Sequence, residues 1–336
     1  MEEMKHILII GGGLAGCTVA LELADRGHQV SIVERDADIG GKVRTYGCKA
    51  TEVCNKCGLC LVGDLWHRVE DDKKIKIYTG HQVVDIFGEK GNFDVVIKDN
   101  KNRQTLANIS DIIVAAGFDV PSSRSLGNLE LTSPDGIITG YQLESILNKR
   151  NDKSLFFQAP SKVAFIQCFS SRDLQEKAAY CSRVCCGYST RAAKVIKYCY
   201  PQTKITFFYM DMQQVEPGDY MDTLLKDGIE FIKSRPVKIK GPKPWTVIYE
   251  EPGSSGTSER EFDLIVLSEG IHPSEGLDRI AEICGLGFSD DGFLRCVKDG
   301  SSTGIYLAGC VSGPKTIEEV YTQALTVAGE ICGGVL

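Results

Sequence analysis

The sequence predicts an α/β protein in two domains, and three observations carry that prediction. A short apolar run leads into a glycine-rich turn at residues 5–16. Strand and helix patterns then alternate through the middle of the chain. A further strand-plus-helix pattern follows at 304–329. At 336 residues the chain can bury two separate cores.

Lys5-His6-Ile7-Leu8-Ile9-Ile10 reads as a buried parallel strand. It runs into Gly11-Gly12-Gly13-Leu14-Ala15-Gly16, and a helix follows through Cys17 to Ala24, with Gly27 marking its end. Gln29-Val30-Ser31-Ile32-Val33 forms a second strand that ends at Glu34. This is G-x-G-x-x-G in a strand–turn–helix–strand setting, which points to dinucleotide binding; the plainer reading is a glycine-rich turn in an unliganded α/β domain. Gly11 permits the tight turn, Gly13 lets the backbone approach a pyrophosphate, and Gly16 allows close helix packing. The helix N-terminus, with Leu14 and Ala15 in its first turn, turns unpaired N–H groups toward phosphate. Glu34 suits a ribose hydroxyl and repels a 2′-phosphate, and Arg35 beside it is a further candidate contact.

Three later segments favour FAD over NAD. Ile39-Gly40-Gly41-Lys42 resembles the second cofactor loop of flavoproteins with two dinucleotide-binding domains. Asp111-Ile112-Ile113-Val114-Ala115-Ala116-Gly117 resembles their strand-to-loop element, and Gly304-Ile305-Tyr306-Leu307-Ala308-Gly309-Cys310 resembles the last strand of their FAD domain. That class usually carries Asp where Cys310 stands, for the ribityl chain. A terminal helix from about Thr316 would turn its N-terminus, with Lys315, toward the flavin pyrimidine edge and stabilise negative charge there. The resemblance implies a thioredoxin-reductase-like fold: a discontinuous FAD domain (1–158 and 273–336) and an inserted second Rossmann-like domain (159–272).

In the inserted part, 162–167, 205–210 and 262–268 read as strands, and 189–198 as a helix. Glu251-Pro252-Gly253-Ser254-Ser255-Gly256-Thr257-Ser258 reads as a hairpin tip. The expected second glycine loop is missing; Cys168-Phe169-Ser170-Ser171-Arg172-Asp173 follows the strand instead. The pyridine-nucleotide site is thus expected to be lost.

Thirty-eight Lys and Arg stand against 45 Asp and Glu, a net charge of −7, with no basic arm to favour nucleic acid. No apolar run approaches the ~20 residues of a membrane helix. The N-terminus lacks the pattern of a secretory signal, so the cytoplasm is the expected compartment.

There are 14 cysteines, unevenly placed. In a reducing compartment such groups bind metal or do redox chemistry. One group is Cys48, Cys54, Cys57 and Cys60, with a C-x2-C-x2-C core of the ferredoxin kind. The other is Cys168, Cys181, Cys185 and Cys186. Each could hold a [4Fe–4S] cluster or zinc; the plainer readings are incidental cysteines in the first group and structural or dithiol cysteines in the second. Arg183 could offset the charge of an anionic cluster. Cys17, Cys199, Cys284, Cys296 and Cys332 read as buried core thiols, and Trp66-His67 as a core or surface pair.

Ile166-Gln167-Cys168 and Tyr180-Cys181-Ser182-Arg183-Val184-Cys185-Cys186 resemble the signature of the heterodisulfide reductase A-subunit family. So do Leu267-Ser268-Glu269-Gly270-Ile271-His272-Pro273-Ser274-Glu275-Gly276 and Leu307-Ala308-Gly309-Cys310-Val311-Ser312-Gly313-Pro314-Lys315. The resemblance covers nearly the whole chain. It implies an oxidoreductase component with FAD, and a [4Fe–4S] cluster on Cys168, Cys181, Cys185 and Cys186. A second cluster would fall on the Cys48 group. It also implies a homodimer and partner Fe–S proteins resembling the B and C subunits of such complexes. The chain departs from long family members: it has no appended ferredoxin domain, and its Cys54–Cys60 region has a different form. Two rivals are a thioredoxin-reductase-like dithiol enzyme and a zinc-containing flavoprotein without catalysis of its own.

Overall fold

In a computed structural model the described residues are 4–121, 136–150, 155–156, 158–174, 177–213 and 220–333. The chain forms two compact units. The first comprises residues 1–44, 58–119 and 272–336, the second 45–57 and 120–271.

The first unit opens with β1 (His6–Ile10), α1 (Leu14–Asp25) and β2 (Gln29–Val33), followed by α2 (Leu65–Asp71) and β3 (Ile75–Tyr78). An antiparallel sheet of β4 (Gln82–Glu89), β5 (Asn92–Lys98) and β6 (Arg103–Ile109) precedes β7 (Asp111–Val114).

The second unit contains β8 (Ile137–Thr139), α3 (Gly140–Asn148), β9 (Lys162–Phe169), α4 (Cys185–Cys199), β10 (Lys204–Tyr209), α5 (Tyr220–Lys226) and β11 (Ile229–Lys233). It continues with an antiparallel sheet of β12 (Pro236–Lys240), β13 (Trp245–Glu250) and β14 (Thr257–Phe262), then β15 (Leu264–Glu269). The chain re-enters the first unit for α6 (Leu277–Cys284), β16 (Gly287–Phe288), β17 (Leu294–Arg295), α7 (Gly300–Thr303), β18 (Ile305–Leu307) and α8 (Ile317–Ile331). No helix is long and apolar enough to cross a membrane among the described residues.

Each unit is built on a five-stranded parallel sheet, ordered β18-β7-β1-β2-β3 in the first and β11-β10-β9-β15-β8 in the second. Both central strands are apolar on both faces, as a doubly covered parallel strand requires: Ile7, Leu8 and Ile9, like Val163, Ala164 and Phe165, are fully buried. The order places the strands that flank β1 on opposite sides, so a crevice opens at its C-terminal end, where doubly wound sheets take their ligands.

The sequence expectations meet the structure at most elements. β18 pairs with β7 (Ile305 beside Ile112), completing the first sheet from a segment far along the chain. The hairpin tip lies where expected, between β13 and β14. Two differences stand out. Residues 45–57 already belong to the second unit, and the long excursion into it starts at 119/120, ahead of the expected 158/159, because β8 joins β15 in the second sheet. Helix α4 starts at Cys185, four residues before the expected Ser189, because the vicinal cysteines form its first turn.

Candidate functional site

The glycine loop in the first unit has the geometry its spacing predicts. Gly11 has φ of +108°, and a Cβ there would stand 2.4 Å from the Ala115 carbonyl oxygen. A Cβ on Gly16 would lie 2.0 Å from the Gly11 carbonyl oxygen, so the β1–α1 turn closes only on glycine. Gly13 differs: a Cβ there would meet nothing within 4 Å, which leaves its surface open to a ligand. Leu14 and Ala15 start α1 and are buried.

Glu34, at the end of β2, is buried. One carboxylate oxygen accepts from Gly12 N–H at 2.7 Å and the other from Asp36 N–H at 2.9 Å. The turn and the acidic residue therefore hold each other in place.

Gly40 N–H donates to the Gly12 carbonyl at 2.7 Å, and a Cβ on Gly41 would touch Gly13 Cα at 3.0 Å. This brings the second loop against the first. Beyond β7, Ala116 accepts from Ser274 Oγ, while Gly117, with φ of +73°, has open space where a side chain would be. A Cβ on Gly309 would sit 2.8 Å from the Ala15 methyl.

Cys310 is buried, its thiol donates to the Lys315 carbonyl, and burial pushes it up to about 11. Lys315 Nζ donates to the Gly309 carbonyl (3.2 Å), Ser312 Oγ (2.9 Å) and the Gly313 carbonyl (3.4 Å), tying down the turn before α8. Thr316 caps α8 in a reciprocal box with Glu319. Open glycine surfaces converging at the C-terminal ends of parallel strands fit a dinucleotide.

In the second unit, Cys168 ends the apolar part of β9, Cys181 lies in the following loop, and Cys185 and Cys186 begin α4. Cys168, Cys185 and Cys186 are buried and Cys181 is half-buried. The neighbouring Cys185 thiol holds Cys186 down, to about 7, while Cys186 and burial push Cys185 well up; burial raises Cys168 to about 11. Among the described residues no three His, Cys, Asp or Glu side chains are already disposed around a metal position. The donor set itself, four thiols on one short segment, suits iron–sulfur ligation.

Polar packing holds that loop. Ser182 Oγ lies 2.6 Å from Ser171 Oγ and accepts from Ile271 N–H at 2.9 Å. A Cβ on Gly270 would stand 2.1 Å from Ser182 Oγ, so glycine is needed there. Arg183 N–H donates to Cys181 Sγ at 3.4 Å.

The first cysteine group divides. Cys48, Cys54 and Cys57 belong to the second unit and Cys60 to the first. Cys48, Cys54 and Cys60 are exposed and Cys57 is half-buried. Ala50 N–H donates to Cys48 Sγ and Lys56 N–H to Cys54 Sγ, both at 3.4 Å. Gly58 carries the loop over α8, where a Cβ would lie 2.4 Å from the Glu318 carboxylate.

Among the other cysteines, Cys17, Cys284 and Cys332 are buried as expected, while Cys199 and Cys296 are only half-buried, packing at the edges of their cores. His67 is exposed beside Glu70. Residues that sequence reasoning missed include Asp119, which holds Arg35 and Lys42, and the buried pair Lys49–Glu144. Phe118-Asp119 directly follows the Ala115-Ala116-Gly117 motif, a signal that was available; nothing in the sequence links Lys49 to Glu144.

Residues 9–69 match the family described as an NAD(P)-binding Rossmann-like domain. The second iron-sulfur A subunit of the CoB–CoM heterodisulfide reductase of Methanopyrus kandleri is 28% identical over 422 aligned residues, covering 98% of this chain and 64% of that protein. The A subunit of the H2:CoB-CoM heterodisulfide,ferredoxin reductase of Methanothermobacter thermautotrophicus is 27% identical, covering 94% and 62%. This chain therefore spans less than two thirds of those relatives. Because the first alignment is longer than the chain, that relative also carries extra segments within the matched stretch. Among solved structures, thioredoxin reductase of T. acidophilum superposes with a TM-score of 0.64 at 17% identity, over 97% of both chains. Thioredoxin reductase of Lactococcus lactis gives 0.62 at 18%. The fold is that of the two-dinucleotide-binding-domain flavoproteins.

Proposed function

From its kinship with heterodisulfide reductase A subunits over nearly the whole chain, we propose that this protein is a flavin- and iron–sulfur-dependent electron-transfer subunit. FAD would occupy the first unit, held by Gly11, Gly13, Gly16, Glu34, Gly41, Lys42 and Gly117, with Gly309, Cys310, Lys315 and Thr316 toward the ring. Cys168, Cys181, Cys185 and Cys186 would hold a [4Fe–4S] cluster. When bound, these groups exchange electrons two at a time and one at a time, respectively, which is what a relay between partners requires. Partner Fe–S proteins resembling the B and C subunits, and a homodimer, complete the proposal.

The observation that carries this reading is where the backbone is strained. Seven non-glycine residues have φ in the left-handed region among the described residues. Five of them lie in the stretch that bears the second cysteine group, Cys168 at the end of β9 and Ser170, Arg172, Lys177 and Arg183 in the loop after it, and Lys56 lies between Cys54 and Cys57. Each costs on the order of 1–3 kcal/mol, and such strain collects where surrounding structure or a ligand requires it. In this reading the cost is borne to turn sulfur inward at the sheet edge where a pyridine-nucleotide loop would stand. Within the first unit, the capped N-terminus of α8 and Lys315 hold positive potential at the end of the cradle.

Anaerobic purification with iron, acid-labile sulfide, zinc and flavin quantified together tests the proposal. Stoichiometric FAD with about four iron and four sulfide per chain supports one cluster, and about eight of each also places one on the Cys48 group. Zinc without sulfide would replace this reading with that of a zinc flavoprotein. Rapid flavin bleaching by NAD(P)H would favour a dithiol reductase.

A further inference from the structure

One carboxylate in the first unit gathers both cations of the nucleotide cradle. Asp119 Oδ1 lies 3.3 Å from Lys42 Nζ and 3.5 Å from an Arg35 guanidinium nitrogen. Its Oδ2 accepts from Glu275 N–H at 2.8 Å, and Arg35 donates in turn to the Glu275 carbonyl at 3.4 Å. The Asp119 backbone is itself fixed by two hydrogen bonds with His272, both 2.9 Å. Lys42 Nζ also stands 5.2 Å from the centre of the Phe118 ring. Four segments thus meet at one side chain: the end of β2, the second glycine loop, the exit from β7 and the returning segment ahead of α6.

Two like charges on separate loops repel each other, and long side chains lose rotamer freedom when held. A carboxylate beside a phosphate site would, by charge alone, weaken anion binding. Its placement between Arg35 and Lys42 has the opposite use, since it fixes two cations at the rim before the ligand arrives. We infer that Asp119 is a positioning residue for the dinucleotide, acting through Arg35 and Lys42. This rests on the FAD reading of the first unit.

The test is FAD release from the full-length holoprotein, followed by flavin fluorescence on dilution. Asp119→Asn is expected to weaken FAD binding about tenfold. Lys42→Gln is expected to weaken it by a similar factor in the native background, but less than threefold when added to Asp119→Asn, because the two act as one unit. Tighter FAD binding in Asp119→Asn would show that its charge merely opposes the phosphates and would overturn the inference. So would full additivity of the two substitutions, which is the outcome of a purely structural role. If Asp119→Asn does not fold, unchanged FAD release in both Arg35→Gln and Lys42→Gln would overturn it instead. Absence of FAD from the native protein would fault the reading beneath; bound FAD with an unresponsive Asp119 would fault only this inference.

Discussion

β1 and β9 hold the same position in their sheets, each flanked by parallel neighbours in corresponding order, yet their exits are built differently. After β1 the chain needs only Gly11, Gly12 and Gly13 before α1 begins at Leu14. After β9 it runs from Ser170 to Val184 before α4 begins. The first exit bends on glycine and offers backbone N–H groups. The second bends on non-glycine residues and offers sulfur. The contrast teaches that one strand–loop–helix frame can present either main chain or side chains at its exit; under the proposed function the first would take an anionic ligand and the second a thiolate-held one.

The largest way to break that contrast is to remove a sulfur. Cys185→Ala is expected to lose essentially all the iron and sulfide assigned to its group while FAD stays bound; iron and flavin quantified on one anaerobic sample check this.

Next comes the buried pair that docks residues 45–57 onto the rest of the second unit. Lys49 and Glu144 form a hydrogen-bonded ion pair, and both side chains are under a tenth exposed. Glu144→Leu leaves a buried, unpaired ammonium and should destabilise the protein by about 3–5 kcal/mol in denaturant titration. Lys49→Met with Glu144→Leu should recover most of that loss.

Gly16→Ala puts a methyl into the Gly11 carbonyl, for a loss of about 1–3 kcal/mol together with a lower FAD content on purification.

The smallest effect is alkaline. Burial holds the Cys310 thiol at about 11 against an ordinary value near 9.0. A raised folded value means the stability it contributes is intact below pH 9 and lost as pH rises toward 11. Cys310→Ser should therefore lose less stability than the native chain on moving from pH 8 to pH 10, by about 1.4 kcal/mol. Unfolding curves at the two pH values give the difference.

Much of the first unit was legible because its instructions are local. The Gly11–Gly16 turn and the α8 cap at Thr316 each depend on residues a few positions apart, and Glu34 lies one strand away from the turn it holds. The second unit was less so. β8 contributes three residues to a sheet whose partner strand lies over a hundred positions away, too short a pattern to read alone. The docking of 45–57 depends on Lys49 meeting Glu144, 95 positions away, and on Arg150 and Arg191 reaching the carbonyls of Ala50 and Asn55. The cysteines announced themselves by spacing, but the strain around them shows only in backbone angles.

The late arrival of β18 bears on how the chain is made. On the ribosome, β7 is synthesised nearly two hundred residues before the strand that covers its flank, and until then it presents a bare row of amides and carbonyls. Nascent chains stalled after β7 has emerged and before β18 is made would share that exposed edge, which makes them natural clients for chaperones that shield unpaired strands.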